Sequence, residues 1–104
     1  KAGLVGLTRS LALELAGLGV RVNAVAPSFV PTRFARQRGD AAVVAEFAEQ
    51  VRRTSPLGRL VTPEDVAAAV AFLVSDGAAM ITGEVLHVCG GTQLPAFPRR
   101  AVPA

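Results

Sequence analysis

Few side chains in this sequence could carry chemistry, and several of them have a simpler role. Glu64 and Asp65 are adjacent carboxylates. A paired acid and base would suit proton transfer. They lie, however, in Thr62-Pro63-Glu64-Asp65, which is a helix start. Thr62 can cap, Pro63 fits the first helical position, and Asp65 stands three residues on. Acids there favour the positive end of the helix dipole, so capping accounts for both. Cys89 is the single cysteine, which excludes an internal disulfide and a Cys-based metal site. It reads as a packed strand residue rather than a reactive thiol. His87 reads as a structural or interface histidine. Lys1, taken by itself at a helix start, reads as a solvated ammonium. The chain has no Tyr, so no phenol acts from within it. What remains is the loop Pro27 to Pro31. It follows a short apolar run, and ligands of open α/β sheets bind beyond the carboxyl ends of strands.

The elements that would position these residues follow from hydrophobic periodicity. Leu4, Leu7, Leu11, Leu15 and Leu18 recur at helical spacing, which predicts a helix over 2–17. Val5, Ala12, Leu13 and Ala16 make its other side apolar too. Such a helix needs cover on more than one side, and a chain of 104 residues is too short to supply it. Gly17 and Gly19 end the helix. Val20 to Ala26 predicts a strand buried on both faces, with Pro27 stopping it because proline cannot donate to a ladder. Residues 41–53 predict an amphipathic helix, with Val44, Phe47, Ala48 and Val51 on one face. The polar stretch from Thr32 to Asp40 reads as a mobile excursion. Val66, Ala69, Val70, Leu73 and Val74 continue the helix that Thr62 starts, and Ser75-Asp76-Gly77 ends it. Glu84 to Cys89 alternates as a strand and stops at Gly90-Gly91. From Thr92 the chain lacks periodicity and reads as a tail, 92–104. Two strands cannot make a stable parallel sheet alone. The expectation is therefore the carboxyl-terminal part of an α/β domain with a doubly wound, Rossmann-type parallel sheet, over residues 1–91.

Composition removes other classes. Hydrophobic residues are 51% of the chain, which excludes intrinsic disorder. The net charge is +3, but the arginines are scattered and Phe is the only aromatic type, so no nucleic-acid partner is expected. No 18-residue apolar run exists, so no membrane span is expected. The first residue is Lys rather than Met, so the chain is expected to begin inside a longer protein.

Five segments carry a family resemblance. Lys1-Ala2-Gly3 precedes an apolar helix. Arg21-Val22-Asn23-Ala24-Val25-Ala26-Pro27 follows. Ser55-Pro56-Leu57-Gly58-Arg59 leads through Thr62-Pro63-Glu64-Asp65-Val66-Ala67. Ala71-Phe72-Leu73-Val74-Ser75-Asp76 closes a helix, and Ile81-Thr82-Gly83-Glu84-Val85-Leu86-His87-Val88-Cys89-Gly90-Gly91 closes the pattern. In this order they resemble the second half of a short-chain dehydrogenase/reductase, in particular its 3-oxoacyl-[acyl-carrier-protein] reductase-like members.

The resemblance implies an enzyme that moves hydride between NAD or NADP and a carbonyl or alcohol substrate. It implies that Lys1 is the lysine of the family's Tyr-x-x-x-Lys pair, catalytic and hydrogen-bonded to the nicotinamide ribose. The Tyr would lie four residues upstream, before this chain begins, so the chain alone would be inactive. Cofactor binding is implied at Lys1, Pro27, Val30 and Thr32. The backbone of Val30 would hold the nicotinamide carboxamide, and Thr32 would reach the carboxamide or the phosphates. Ser28 stands where the family usually has Gly, and a positive φ there would strain it. Cys89 replaces the usual Asp. No role is expected for Arg59 beyond pairing with a nearby acid. A homodimer or homotetramer and a cytoplasmic location are also implied, the latter in keeping with a lone thiol. Two other readings stay open: another branch of the family acting on a sugar, alcohol or hydroxy acid, and a non-catalytic interaction module.

Overall fold

The computed structural model describes residues 2–32, 37 and 39–95. Lys1 and most of the polar excursion, residues 33–36 and 38, lie outside these, as does the tail from residue 96. The element order is α1 (Ala2–Leu15), a 3₁₀ turn (Ala16–Leu18), β1 (Ala24–Pro27), α2 (Ala41–Thr54), α3 (Pro63–Leu73), a second 3₁₀ turn (Asp76–Ala78) and β2 (Val85–Val88). The two strands pair in parallel, with Ala24 opposite Val85 and Pro27 opposite Val88. α3 packs against both strands.

The helix ends follow the local chemistry. Gly19 takes a left-handed φ of 74° and closes the turn after α1, its N–H bonding to the Ala16 carbonyl. Asp40 caps α2, its Oδ1 accepting from the Ala42 N–H at 2.8 Å. Thr62 and Asp65 form a reciprocal capping box at the start of α3. Asp65 is also gripped by Arg59, with Nη1 to Oδ2 at 2.6 Å and Nη2 to Oδ1 at 3.0 Å. The fork of that guanidinium, joined by the Thr62 N–H, holds the Asp65 carboxyl well below the usual carboxylate range. Arg59 thus pairs with an acid, as expected, and Asp65 is a capping residue.

β1 departs from expectation at both ends. It begins at Ala24 rather than Val20, and it includes Pro27. Before Ala24, side chains take over the pairing. Val22 bonds the 82–83 turn, its N–H donating to Thr82 Oγ1 and its carbonyl accepting from the Gly83 N–H. Asn23 then bridges both ways: its Nδ2 donates to the Ile81 carbonyl at 2.9 Å, and its Oδ1 accepts from the Glu84 N–H at 3.0 Å. The regular ladder starts only where these bonds stop. At the other end the parity matters. The N–H groups of Ala24 and Ser28 donate to the Glu84 and Val88 carbonyls. Successive residues alternate direction in a strand, so the nitrogen of Pro27 points away from β2 and no ladder donor is lost.

Arg21 staples the second half of the chain to the first. Its guanidinium donates to the Leu73 carbonyl at 2.7 Å and reaches the carbonyls of Ile81 at 3.3 Å and Ser75 at 3.5 Å. A cation at the end of α3 also suits the helix dipole. Replacing Arg21 by Met should lower stability by about 2 kcal/mol, the scale of lost charge-assisted bonds. Chemical denaturation of the full-length gene product would measure it, and an unchanged midpoint would refute the staple.

The core is small. Among the described residues the buried apolar side chains are Ala12, Val61, Leu73 and Ala78. α1 buries Thr8 and Ala12, and Ala12 stands close to Gly83. Three of its leucines look outward, Leu13 at 83% exposure and Leu4 and Leu7 above half, while Leu11 and Leu15 are half-buried. This is the helix whose sequence asks for cover on several sides.

Candidate active site at the carboxyl ends of the strands

The carboxyl ends of β1 and β2 lead into two loops that stand side by side. The first is Pro27 to Thr32. Its start is pinned to β2 by the Ser28 N–H, which donates to the Val88 carbonyl at 3.1 Å. Its end closes a tight turn in which the Thr32 N–H donates to the Val30 carbonyl at 2.8 Å. Val30 keeps its own N–H, for which the described residues provide no acceptor. The Pro27 carbonyl lies on the edge of β1 that faces away from β2, by the same alternation that orients its nitrogen. One loop therefore presents a backbone donor at Val30 and a backbone acceptor at Pro27, the complement of a planar carboxamide.

Ser28 is not strained. No non-Gly residue among those described has a positive φ. Ser28 simply continues the ladder by one bond, so the usual Gly is not required for the backbone path here.

The second loop begins at Cys89. Gly90 and Gly91 follow with φ of 61° and 91°, a conformation that favours glycine. They curl the chain so that the amides of the turn converge on residue 89. The Cys89 backbone carbonyl accepts from the Thr92 N–H at 3.2 Å. The polar groups of Gln93, Gly91 and Thr92 around the thiol outweigh burial and draw it below its ordinary pKa. Cys89 lies past the end of β2 and is half-buried. It thus heads the turn that follows β2 rather than standing inside the strand. Alkylation with iodoacetamide is expected to show a rate midpoint below the usual thiol value of about 8.5. A depressed folded-state pKa contributes stability that grows as pH rises and is lost as pH falls through it. Cys89→Ala should therefore cost more stability at alkaline than at mildly acidic pH. A free-thiol midpoint would argue against the turn amides.

Both loops border one cavity of about 570 Å³ between α1 and the sheet. Ala2, Pro27, Ser28, His87, Cys89 and Thr92 are among its lining residues. His87 is exposed on β2. Of the site residues expected from sequence, Pro27, Val30 and Thr32 share the first loop. Lys1 lies outside the described residues, but its neighbour Ala2 lines the same cavity as Pro27 and Ser28.

Two supports are invisible in the sequence. Leu57 donates its N–H to the Gly90 carbonyl at 3.1 Å, so the Ser55-Pro56-Leu57 segment docks on the second loop. Ser55 is buried and its hydroxyl has no partner among the described residues. The other support is a ring contact: Phe29 of the first loop meets Phe47 of α2 edge to face, centroids 5.0 Å apart. The closeness of Pro-Leu-Gly to Gly-Gly could not be read from their spacing, because it depends on how the chain returns.

No helix among the described residues is long and apolar enough to cross a membrane. Comparison with known proteins places the whole arrangement. A family model described as Enoyl-(Acyl carrier protein) reductase matches residues 1–93. The 3-oxoacyl-[acyl-carrier-protein] reductase FabG of Vibrio cholerae is 48% identical over 91 residues, covering 88% of this chain and 35% of the relative. The protein of the same name from Aquifex aeolicus is 50% identical over 91 residues, with the same coverage. The chain thus spans about a third of the length of these curated relatives. A crystal structure of a short chain dehydrogenase family protein from Francisella tularensis superposes with a TM-score of 0.78 at 31% identity, over 91% of this chain and 42% of that one. With an α/β architecture, a parallel strand pair and loops at its carboxyl end in agreement, the chain belongs to the short-chain dehydrogenase/reductase family, matching within it the model described as enoyl-(acyl carrier protein) reductase.

Proposed function

We propose that this chain provides the catalytic lysine and the nicotinamide-binding loop of an NAD(P)-dependent reductase whose substrate is a carbonyl, in the first instance a 3-oxoacyl thioester. The observation that supports this reading is that the Pro27 carbonyl, on the edge of β1 away from β2, and the Val30 N–H, which has no acceptor among the described residues, lie three residues apart at the carboxyl end of a parallel strand. That donor and acceptor fit the carboxamide of a nicotinamide. Thr32 stands two residues on, where its hydroxyl would serve the carboxamide or the phosphates. Residues 1–91 would form the carboxyl-terminal portion of the domain, with 92–104 a tail.

A reduced nicotinamide, when bound, supplies the hydride that goes to the carbonyl carbon. The carbonyl oxygen must then gain a proton. The chain has no Tyr, so a phenol would have to come from outside residues 1–104. The Lys1 ammonium would lower the pKa of such a phenol by favouring its anion. The choice between NAD and NADP is not carried by residues of this chain. The outward leucines of α1 support a homodimer or homotetramer, and a lone thiol suits the cytoplasm.

The test is an assay of the full-length gene product with NADH or NADPH. A 3-oxoacyl thioester should be reduced, and sedimentation at micromolar concentration should show a dimer or tetramer. The family model and the curated relatives bear names for two different reductions, so an enoyl thioester belongs in the same assay. Turnover of the enoyl substrate alone would replace the 3-oxoacyl reading. Absence of nicotinamide binding would favour a non-catalytic interaction module.

A further inference from the structure

α2 is unusual in this chain because it buries none of its residues. Its apolar side does not pack on the body. Ala41, Val44 and Ala48 instead line an open cavity of about 500 Å³, with Pro31 and Leu60 across from them. Among the described residues, two contacts tie it to the loops at the strand ends. At its end, Ser55 is buried and Leu57 bonds Gly90, which ties the helix to the loop after β2. Midway along it, the Phe47 ring meets Phe29 edge to face at 5.0 Å and 88°, which ties it to the loop after β1. Phe47 is otherwise half-exposed, at 49%.

We propose that Phe29 and Phe47 are positioning residues, a clasp through which α2 and the Pro27–Thr32 loop share one seating. The link from this clasp to cofactor binding rests on the nicotinamide reading above. Phe29 directly precedes Val30, so the ring contact constrains the backbone that aims the Val30 N–H. An edge-to-face pair has a defined orientation and is worth more than the area it covers. A helix with no buried residue belongs to the elements that open at low free energy. Ordering either partner therefore orders the other: a ligand held on the loop seats α2, and a loosened α2 frees the loop.

Amide hydrogen exchange of the full-length gene product tests this, using Phe29→Leu, Phe47→Leu and the double variant. Each single change should speed exchange over residues 41–54 by about 3- to 10-fold while leaving 85–88 unchanged, and the double variant should exceed neither by much. Saturating NAD(P)⁺ should slow exchange over 41–54 in the wild type, and Phe47→Leu should abolish that protection although Phe47 is not on the loop. A helix that merely needs the ring for stability would keep the ligand-induced protection. Unchanged exchange in both single variants, or single effects that multiply in the double variant, would overturn the clasp. If no nicotinamide binds at all, the functional reading fails while the unliganded exchange still decides the clasp. Where Phe29→Leu lowers solubility, Phe47→Leu alone decides the matter, since a half-exposed helical position tolerates Leu.

Discussion

Replacing Lys1 by Ala in the full-length gene product is expected to lower NAD(P)H-linked carbonyl reduction by about 100-fold or more, the scale on which acid/base assistance acts. The change removes the cation that would favour a phenolate, so the phenol pKa should climb back toward its ordinary value near 10. Measured in the direction of alcohol oxidation, where the phenolate is the base, the rising limb of the pH profile should move to higher pH. That shift separates an electrostatic role from mere loss of folding. Lys1→Arg keeps the charge and should hold the limb closer to its original position. Retained turnover in Lys1→Ala would end the assignment. What supports it here is placement: Ala2, the next residue, lines one cavity with Pro27 and Ser28.

Gly91→Ala should be strongly destabilising. Gly91 has a φ of 91°, and an added Cβ would stand 3.0 Å from two carbons of the Pro56 ring. The first problem costs about 1–3 kcal/mol. The second adds a clash with a ring that cannot rotate aside. A combined loss of about 3 kcal/mol is expected, near two decades in the folding equilibrium. Gly58→Ala is the matched control. Gly58 has a φ of 80° but nothing within 4 Å of the added Cβ, so it should show the backbone cost alone. Denaturant midpoints of the two variants would isolate the contact. Equal losses would mean that the docking of Pro56 on Gly91 contributes nothing.

Much of this architecture is legible in local chemistry. The capping box at Thr62 and Asp65, the glycine cap at Gly19 and the helical periodicities need only near neighbours, and these elements stand where expected. The pairing of Arg59 with an acid is of the same kind. Two strand ends lie one residue away from expectation, Pro27 standing inside β1 and Cys89 outside β2, for a common reason. Whether proline ends a strand depends on which edge its nitrogen faces, and that parity exists only once β2 is in register. Where β2 ends depends on the turn that Gly90 and Gly91 make, which closes with the Thr92 N–H on the Cys89 carbonyl. The positive φ of those glycines can be guessed, but not what their amides will find.

The residue order by itself therefore determined the class of fold, the sites of its helix ends and the family, because each rests on short-range pattern. It also singled out Lys1, Pro27, Val30 and Thr32 as the candidate site residues. Tertiary structure alone decided that Pro27 turns its nitrogen and carbonyl away from β2 and that the Thr32 N–H closes a turn on the Val30 carbonyl. It alone set Phe29 against Phe47 and Ser55-Pro56-Leu57 against Gly90-Gly91. Those contacts join residues 18 and about 35 positions apart, and no periodicity records them. They depend on where the chain returns, which is set by the parallel register of β1 and β2.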